Sequence, residues 1–278
     1  MPVLSLKNKS VLPGFGLTLG CTLLYLTIIV ALPLLAMILK TASLGFADFW
    51  SIVTSERALA TYRITLSAAA FATVLNGLFG LLLAWVLTRY EFPGKRLIDA
   101  AVDLPFALPT AIAGLALVTL FAPNGWIGQF LEPLGIKVAY APLGIVIAMF
   151  FTSIPFVIRS VQPVLEDMSA DVEEAARSLG ASPWQIFSHI IWPTIFPAFL
   201  AGASLSFARS LGEFGSIVFI SGNLPFQTEV TSLLVFIRLD EYDYPAAAAL
   251  AFVMLVAAFF MLLITNLIQA RQLRYADR

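Results

Sequence analysis

The sequence is poor in almost everything that soluble chemistry uses. It has one cysteine, Cys21, so no intramolecular disulfide can form. It has one histidine, His189, and no cysteine cluster, so no His/Cys metal site can be assembled. It has no Gly-x4-Gly-Lys-Ser/Thr loop: Gly94-Lys95 has Arg89 where the earlier glycine belongs. The chain therefore has no means of its own to hydrolyse ATP. Serine hydrolysis within a membrane would need a Ser–His pair inside an apolar stretch, and His189 lies outside those stretches. No catalytic residue and no metal ligand is a candidate. Charge is the scarcest commodity: 12% of 278 residues are Asp, Glu, Lys or Arg, about half the usual share. Sixteen basic and 17 acidic residues leave a net charge of −1, which gives no electrostatic reason to seek nucleic acid.

Apolar residues fill the gap. They make up 60% of the chain, and the mean hydropathy is +0.92. Disorder, coiled coil and collagen are excluded, because none uses so much apolar surface. The remaining class is an integral membrane protein. The long stretches without a charge are 10–39, 64–88, 104–131, 138–158, 178–208 and 244–270. Each is long enough for the roughly 20 apolar residues of a membrane-crossing helix. The run Leu78-Phe79-Gly80-Leu81-Leu82-Leu83 does not alternate as a β-barrel strand must. The reading is all-α, with six transmembrane helices near 16–39, 62–88, 104–122, 140–158, 194–220 and 245–269. Lys7 and Lys9 precede the first run as in a signal peptide, but no small-x-small site follows before Lys40, so the span is read as retained.

Basic residues in the short loops set the orientation. With a cytoplasmic N-terminus, ten fall inside: Lys7, Lys9, Arg89, Lys95, Arg96, Arg159, Arg177, Arg271, Arg274 and Arg278. Five fall outside: Lys40, Arg57, Arg63, Lys137 and Arg238. Both termini and the long loop 159–193 are thus expected in the cytoplasm.

That loop carries helix punctuation twice. Asp171 can cap a helix, with Glu174 three residues on. Glu173, Glu174, Ala175, Ala176 and Arg177 continue it, and Gly180 supplies a left-handed end. Ser182 caps a second helix with Pro183 at its first position and Gln185 completing a capping box. Trp184, Phe187 and Ile191 form its apolar stripe, and Pro193 is expected to stop it before the fifth span. Two readings fit: a hairpin shielding its own helix ends at the membrane interface, or a docking element for a cytoplasmic partner.

Glu174-Ala175-Ala176, then Gly180, Ile190 and Trp192-Pro193, resembles the EAA-x3-G-x9-I-x-L-P loop of ABC-importer permeases. One of seven defined positions departs, Trp192 for leucine. Further stretches resemble sulfate permeases of the T type: Leu87–Gly94, Asp103–Thr110, Ser206–Gly215, Thr228–Leu233 and Asp243–Ala247. The resemblance spans about 11–270. It implies the type I importer architecture in a bacterial plasma (inner) membrane, surrounded by lipid. It implies a tail, first helix and periplasmic loop over 1–61, a five-helix core over 62–269 with the coupling loop 159–193, and a cytoplasmic tail over 270–278. It also implies partners: a W-type permease subunit, two ATPase subunits that hold ATP-Mg, and a periplasmic sulfate- or thiosulfate-binding protein. This chain itself binds no cofactor. The Gly-Glu-Phe-Gly stretch is shared with molybdate permeases, so a molybdate or tungstate permease stays open, as does a secondary anion carrier.

Inside the spans, Arg209 and Glu213 are four apart, on one helical face near mid-span. A bare charge there costs a few kcal/mol or more, so the pair must face protein or water. It either fixes packing or lines an anion path, with Ser204, Ser206 and Ser210 nearby. Pro109, at the start of the third span, and Thr110 mark either a kink or a broken segment facing the path. Gly77 and Gly80 are read as close-packing positions, and Asn76 as able to bond across helices.

Overall fold

The computed structural model describes residues 15–276, with side chains to residue 268. It is helical throughout the elements assigned. In chain order these are α1 (Phe15–Ala42), α2 (Phe46–Val53), α3 (Glu56–Arg89), α4 (Lys95–Val102), α5 (Leu104–Ala107), α6 (Thr110–Phe121) and α7 (Gly128–Leu131). They continue with α8 (Pro142–Glu166), α9 (Ala170–Ser178), α10 (Pro183–Leu211), α11 (Ile217–Ile220), α12 (Thr231–Asp240) and α13 (Tyr244–Ala276).

Five helices, α1, α3, α8, α10 and α13, are long and apolar enough to cross a membrane. The third crossing differs from the expected 104–122 helix. Leu108 and Pro109 are extended and split it into α5 and α6. The 12 residues of α6 span only about 18 Å, short of a hydrocarbon core of about 30 Å. Pro109 has no N–H to give, so the break falls where the helical ladder is weakest.

The fourth and fifth spans depart from their expected limits too. Helix α8 runs to Glu166, so Arg159 and the first residues of the 159–193 loop are helical. Arg159 is held there by Asp99 (2.7 Å) and Asp103 (2.7 Å) from the α4–α5 segment. Pro193 does not stop the second short helix. That helix runs straight on into the fifth span as α10, through a π turn at Phe187–Ile191. The wider turn sits just ahead of Pro193, whose missing N–H would otherwise break an α ladder. At its other end α10 stops at Leu211 rather than 220, and α13 extends through Ala276 into the expected tail.

Helices α3, α8 and α10 form the core. Two apolar clusters fill it. One gathers Ala69, Ala72, Ile145, Met149 and Leu211 with Ile217 and Ile220. The other gathers Ala84, Leu87, Ile158, Val161, Leu165 and Ile195. Between them lies a polar layer. The Asn76 amide donates to Ser153 Oγ (2.8 Å) and Ser206 Oγ (3.0 Å), and Ser153 meets Ser210 (3.1 Å). In lipid, apolar contact alone gives helices no reason to prefer each other, so small residues and hydrogen bonds set the contact. Gly80 shows the first: a Cβ there would lie 2.9 Å from Val157. Helix α1 meets α13 through residues 32–42, and no residue of its apolar window is buried.

Candidate functional site

At the Arg89 end of the bundle the first short helix exchanges its expected cap, and the second is capped as expected but forms the opening turns of α10. Ser169, not Asp171, caps α9: its hydroxyl accepts from the Asp171 N–H at 3.2 Å. Ser169 stands ahead of the first turn, where an orphan N–H needs an acceptor, whereas Asp171 already lies within it. Gly180 has φ +87°, the left-handed region that glycine enters without a Cβ penalty. Ser182 then forms the full capping box. Its Oγ accepts from the Gln185 N–H (3.3 Å), and its own N–H donates to Gln185 Oε1 (2.8 Å).

The surfaces of this element divide in two. Leu179, 89% exposed, and Trp184, 73% exposed, flank Gly180 and face away from the bundle. Beside Leu179 and Gly180 runs a groove of about 400 Å³, lined further by Ala181, Gln185 and His189. Pro183, Glu174 and Ala175 are also exposed. Glu173 is not. It is buried, its Oε1 accepts from Arg89 Nη2 at 2.5 Å, and Arg177 lies 3.6 Å from its Oε2. Arg89 is in turn stacked over Trp85 at 5.3 Å. Ala176 packs inward on the apolar cluster below. Of the expected docking residues, then, Glu173 and Ala176 anchor the element and the others present it. Leu179, overlooked in the sequence because it reads as a helix former, is the most exposed apolar side chain there.

The second group of expected residues lies at the other end of α10. Arg209 is in the last turn of that helix, not mid-span, and Glu213 lies beyond it, not on the same helical face. The pair still forms, Arg209 Nη1 to Glu213 Oε2 at 2.6 Å. Glu213 is 1% exposed and Arg209 is one-third exposed. The other carboxylate oxygen accepts from the Ser216 N–H (3.0 Å) and hydroxyl (2.8 Å). Ser232 Oγ donates to the Glu213 backbone carbonyl at 2.7 Å. Residues 212–216 lie against the break in the third crossing. A Cβ on Gly215 would fall on Thr110, and one on Gly114 would fall on the Ser216 backbone. Arg209, Glu213, Pro109 and Thr110 are thus brought into one neighbourhood, with Pro109 exposed. Ser206 is not part of it. It is fully buried in the polar layer, facing Asn76.

Two contacts at the Arg57 end escape the sequence. Arg57 holds Glu229 bidentately, Nε to Oε2 at 2.8 Å and Nη2 to Oε1 at 2.6 Å. Beside it the Thr231 N–H donates to Thr65 Oγ1 at 2.9 Å, with Thr61 adjoining. The partners are 166 to 172 positions apart, so no local pattern announces them.

Comparison with known proteins agrees with this architecture. Residues 76–274 match the family described as "Binding-protein-dependent transport system inner membrane component". The sulfate transport system permease protein CysT of Salmonella typhimurium is 52% identical over 269 residues, 97% of each chain. The protein of the same name from Synechocystis is 48% identical over 256 residues, 92% of this chain and 90% of that one. Among solved structures, a bacterial alginate ABC transporter in complex with an alginate pentasaccharide-bound periplasmic protein superposes with a TM-score of 0.76. It is 19% identical and covers 92% of this chain and 93% of its own. At that identity the likeness speaks for the fold alone. The family match over residues 76–274 and the relatives at about half identity over nearly the whole chain agree: the chain belongs to the family of binding-protein-dependent transport system inner membrane components.

Proposed function

We propose that this chain is one permease subunit of an ATP-driven ABC importer of sulfate, with thiosulfate as a second substrate. The observation that carries the reading is the α9–Gly180–α10 element: two capped helices that present Leu179 and Trp184 outward. The chain has no ATPase of its own, so energy enters from a partner, and this element is the surface built to receive one. The substrate assignment rests on relatives named for sulfate transport at up to 52% identity over nearly the whole chain.

The rest of the assembly follows. The excess of basic residues supports a cytoplasmic side for the α9–α10 element and both termini in a bacterial inner membrane. Two ATPase subunits, each holding ATP-Mg, dock there. A W-type permease pairs with this chain, and a periplasmic sulfate- or thiosulfate-binding protein delivers the anion at the Arg57 end. ATP binding shifts the assembly between inward- and outward-facing states through its differential affinity for the two.

Arg209 is the residue offered to the anion. Glu213 neutralises it in part, so a dianion meets charge-assisted donors without being held too tightly for release. The break at Pro109 and Thr110 exposes the adjoining backbone, which is tolerated in a membrane only beside protein or water.

The test is uptake of labelled sulfate by proteoliposomes carrying the chain with its partners, ATP and binding protein. Wild type is expected to need ATP, and Gly180→Asp to lose uptake while the complex still forms. Uptake that proceeds without ATP makes the chain a secondary carrier and sinks the reading.

A further inference from the structure

The functional reading leaves open how movement of the docking element reaches the far side of the membrane. The covalent route is α10, which starts in that element. It is a poor lever. It contains a π turn at Phe187–Ile191, then Pro193 and Pro197, and such features are where helices bend. Helix α8 carries Pro155 and Pro163. Helix α3 has no proline in 34 residues, and its ladder is α-helical from Glu56 to Arg89. Of the three core helices it alone has neither a proline nor a π turn. From Arg57 to Arg89 it extends about 48 Å.

Each end of that strut is gripped by a buried carboxylate from a different element. At one end Glu173 of α9 holds Arg89, which Trp85 backs from the other face. At the other, Glu229 holds Arg57 through two hydrogen bonds, and Glu229 is fully buried. Glu229 belongs to the segment 221–230 that leads into α12, and Thr65 and Thr231 pin that segment a second time. The bidentate Arg57–Glu229 pair fixes direction as well as distance, and the single Arg89–Glu173 bond fixes distance. Removing one partner of a buried pair leaves an uncompensated charge, so neither grip slips without cost.

We propose that α3 is a transmission strut latched at both ends. The Arg89–Glu173 latch takes the displacement of the docking element, and the Arg57–Glu229 latch delivers it to the 221–230 segment. This makes Glu173 and Glu229 positioning residues of the transport cycle and removes Glu173 from the docking surface proper. The proposal rests on the ATP-driven reading given above. Spatial intermediacy alone does not establish a coupling path, so the test measures coupling.

The assembled importer is reconstituted with Glu173→Gln, with Arg57→Gln, with both, and with Arg89→Lys, which keeps a charge for Glu173. The first readout is sulfate taken up per ATP hydrolysed, with association of the ATPase measured alongside. Each glutamine variant is expected to keep the ATPase bound and to lower that ratio about tenfold, within the usual range of coupling between sites. Arg89→Lys recovers most of it. Because the latches act in series, the double variant also falls about tenfold, not about a hundredfold. An unchanged ratio in either single variant overturns the proposal, and so does a multiplicative loss in the double. Failure of Glu173→Gln to bind the ATPase overturns it as well, since Glu173 would then be a docking residue.

A second readout needs no sulfate. Gln227→Cys, in a Cys21→Ser background, places a thiol on the exposed part of the 221–230 segment. Its reaction rate with a membrane-impermeant thiol reagent is expected to change severalfold when ATP is added, and Glu173→Gln is expected to abolish that change. Persistence of the change with Glu173→Gln refutes the strut. A wild type that takes up no sulfate with ATP refutes the functional reading, and the thiol readout still decides the strut.

Discussion

The two ends of α10 are built by opposite rules. At its start the chain turns by local means. Ser182 closes a capping box with a residue three positions on, Pro183 begins the helix, and Gly180 makes the turn at φ +87°. At its finish the chain turns by distant means. Glu213 is fixed by Arg209 and Ser216, then by Ser232 19 positions later, and the loop rests on Thr110 and Gly114 of another crossing. The first end exposes large apolar side chains and the second buries a carboxylate. A surface that must meet a partner repeatedly can be made of self-sufficient short helices. A turn inside a membrane has no water to satisfy it, so it must borrow donors from wherever the fold brings them.

If that contrast is right, damage at the two ends should look different. Arg209→Ala should have the largest effect. It leaves Glu213 buried beside Ser216 with no cation, which costs about 3–5 kcal/mol by analogy with other broken buried pairs. Thermal unfolding in detergent should show a strongly destabilised permease, and uptake should vanish with it. Arg209→Gln with Glu213→Gln removes both charges and should recover the fold but not the transport. A double variant that transports normally would leave the pair a packing device and end the anion-path reading.

Trp184→Ala should do the reverse. The side chain is 73% exposed and stacks on the Phe187 ring of its own helix, with centroids 5.7 Å apart. The permease should unfold at its usual temperature. Association with the ATPase should weaken by about 2 kcal/mol, the scale of an aromatic interface anchor, or about thirtyfold in Kd. Pull-down with the purified ATPase measures it. Equal loss of permease stability would erase the distinction between the two ends.

The same contrast decides what was legible in the sequence. The Ser182 box, the Gly180 turn and five of the six spans follow from signals within a few residues, and the structure has them, whereas the third span is split at Pro109. The stop at Pro193 was misread because a π turn upstream makes room for the ring, and single-residue punctuation carries no sign of it. The end of α10 at Leu211 is marked by Gly212, its C-cap, and the apolar run that continues to Ile220 masks that signal. Glu173 reads like a surface residue of the docking loop, and only Arg89, 84 positions earlier, turns it inward. Ser206 reads like a path hydroxyl, and only Asn76 shows that it faces the core. What the sequence conceals here is side-chain pairing across helices, which propensity and capping do not encode.

A smaller effect tests whether the backbone turn or the contact surface matters at Gly180. Gly180→Ala adds one methyl into open space, since nothing lies within 4 Å of the new Cβ. The only penalty is the left-handed conformation, about 1 kcal/mol. Uptake should fall severalfold with ATPase affinity nearly unchanged. Loss as deep as that of Gly180→Asp would mean the partner packs directly against the glycine.

The smallest expected effect isolates the cap. Ser182→Ala removes the acceptor for the Gln185 N–H and leaves Gln185 Oε1 free to keep its bond to the backbone N–H of residue 182. Half of the box survives. N-cap replacements cost about 1 kcal/mol, and the remaining bond should hold the loss to the lower part of that range. Because Ser182 is exposed, water can satisfy the freed N–H. Hydrogen exchange should therefore rise several-fold at the amides of 184–186 and stay unchanged in α3, α8 and the 212–216 turn. That confinement is the signature of an element held by its own residues. Exchange that also rises around Glu213 would show the start and finish of α10 to be one cooperative unit, and the opposition between them would fall.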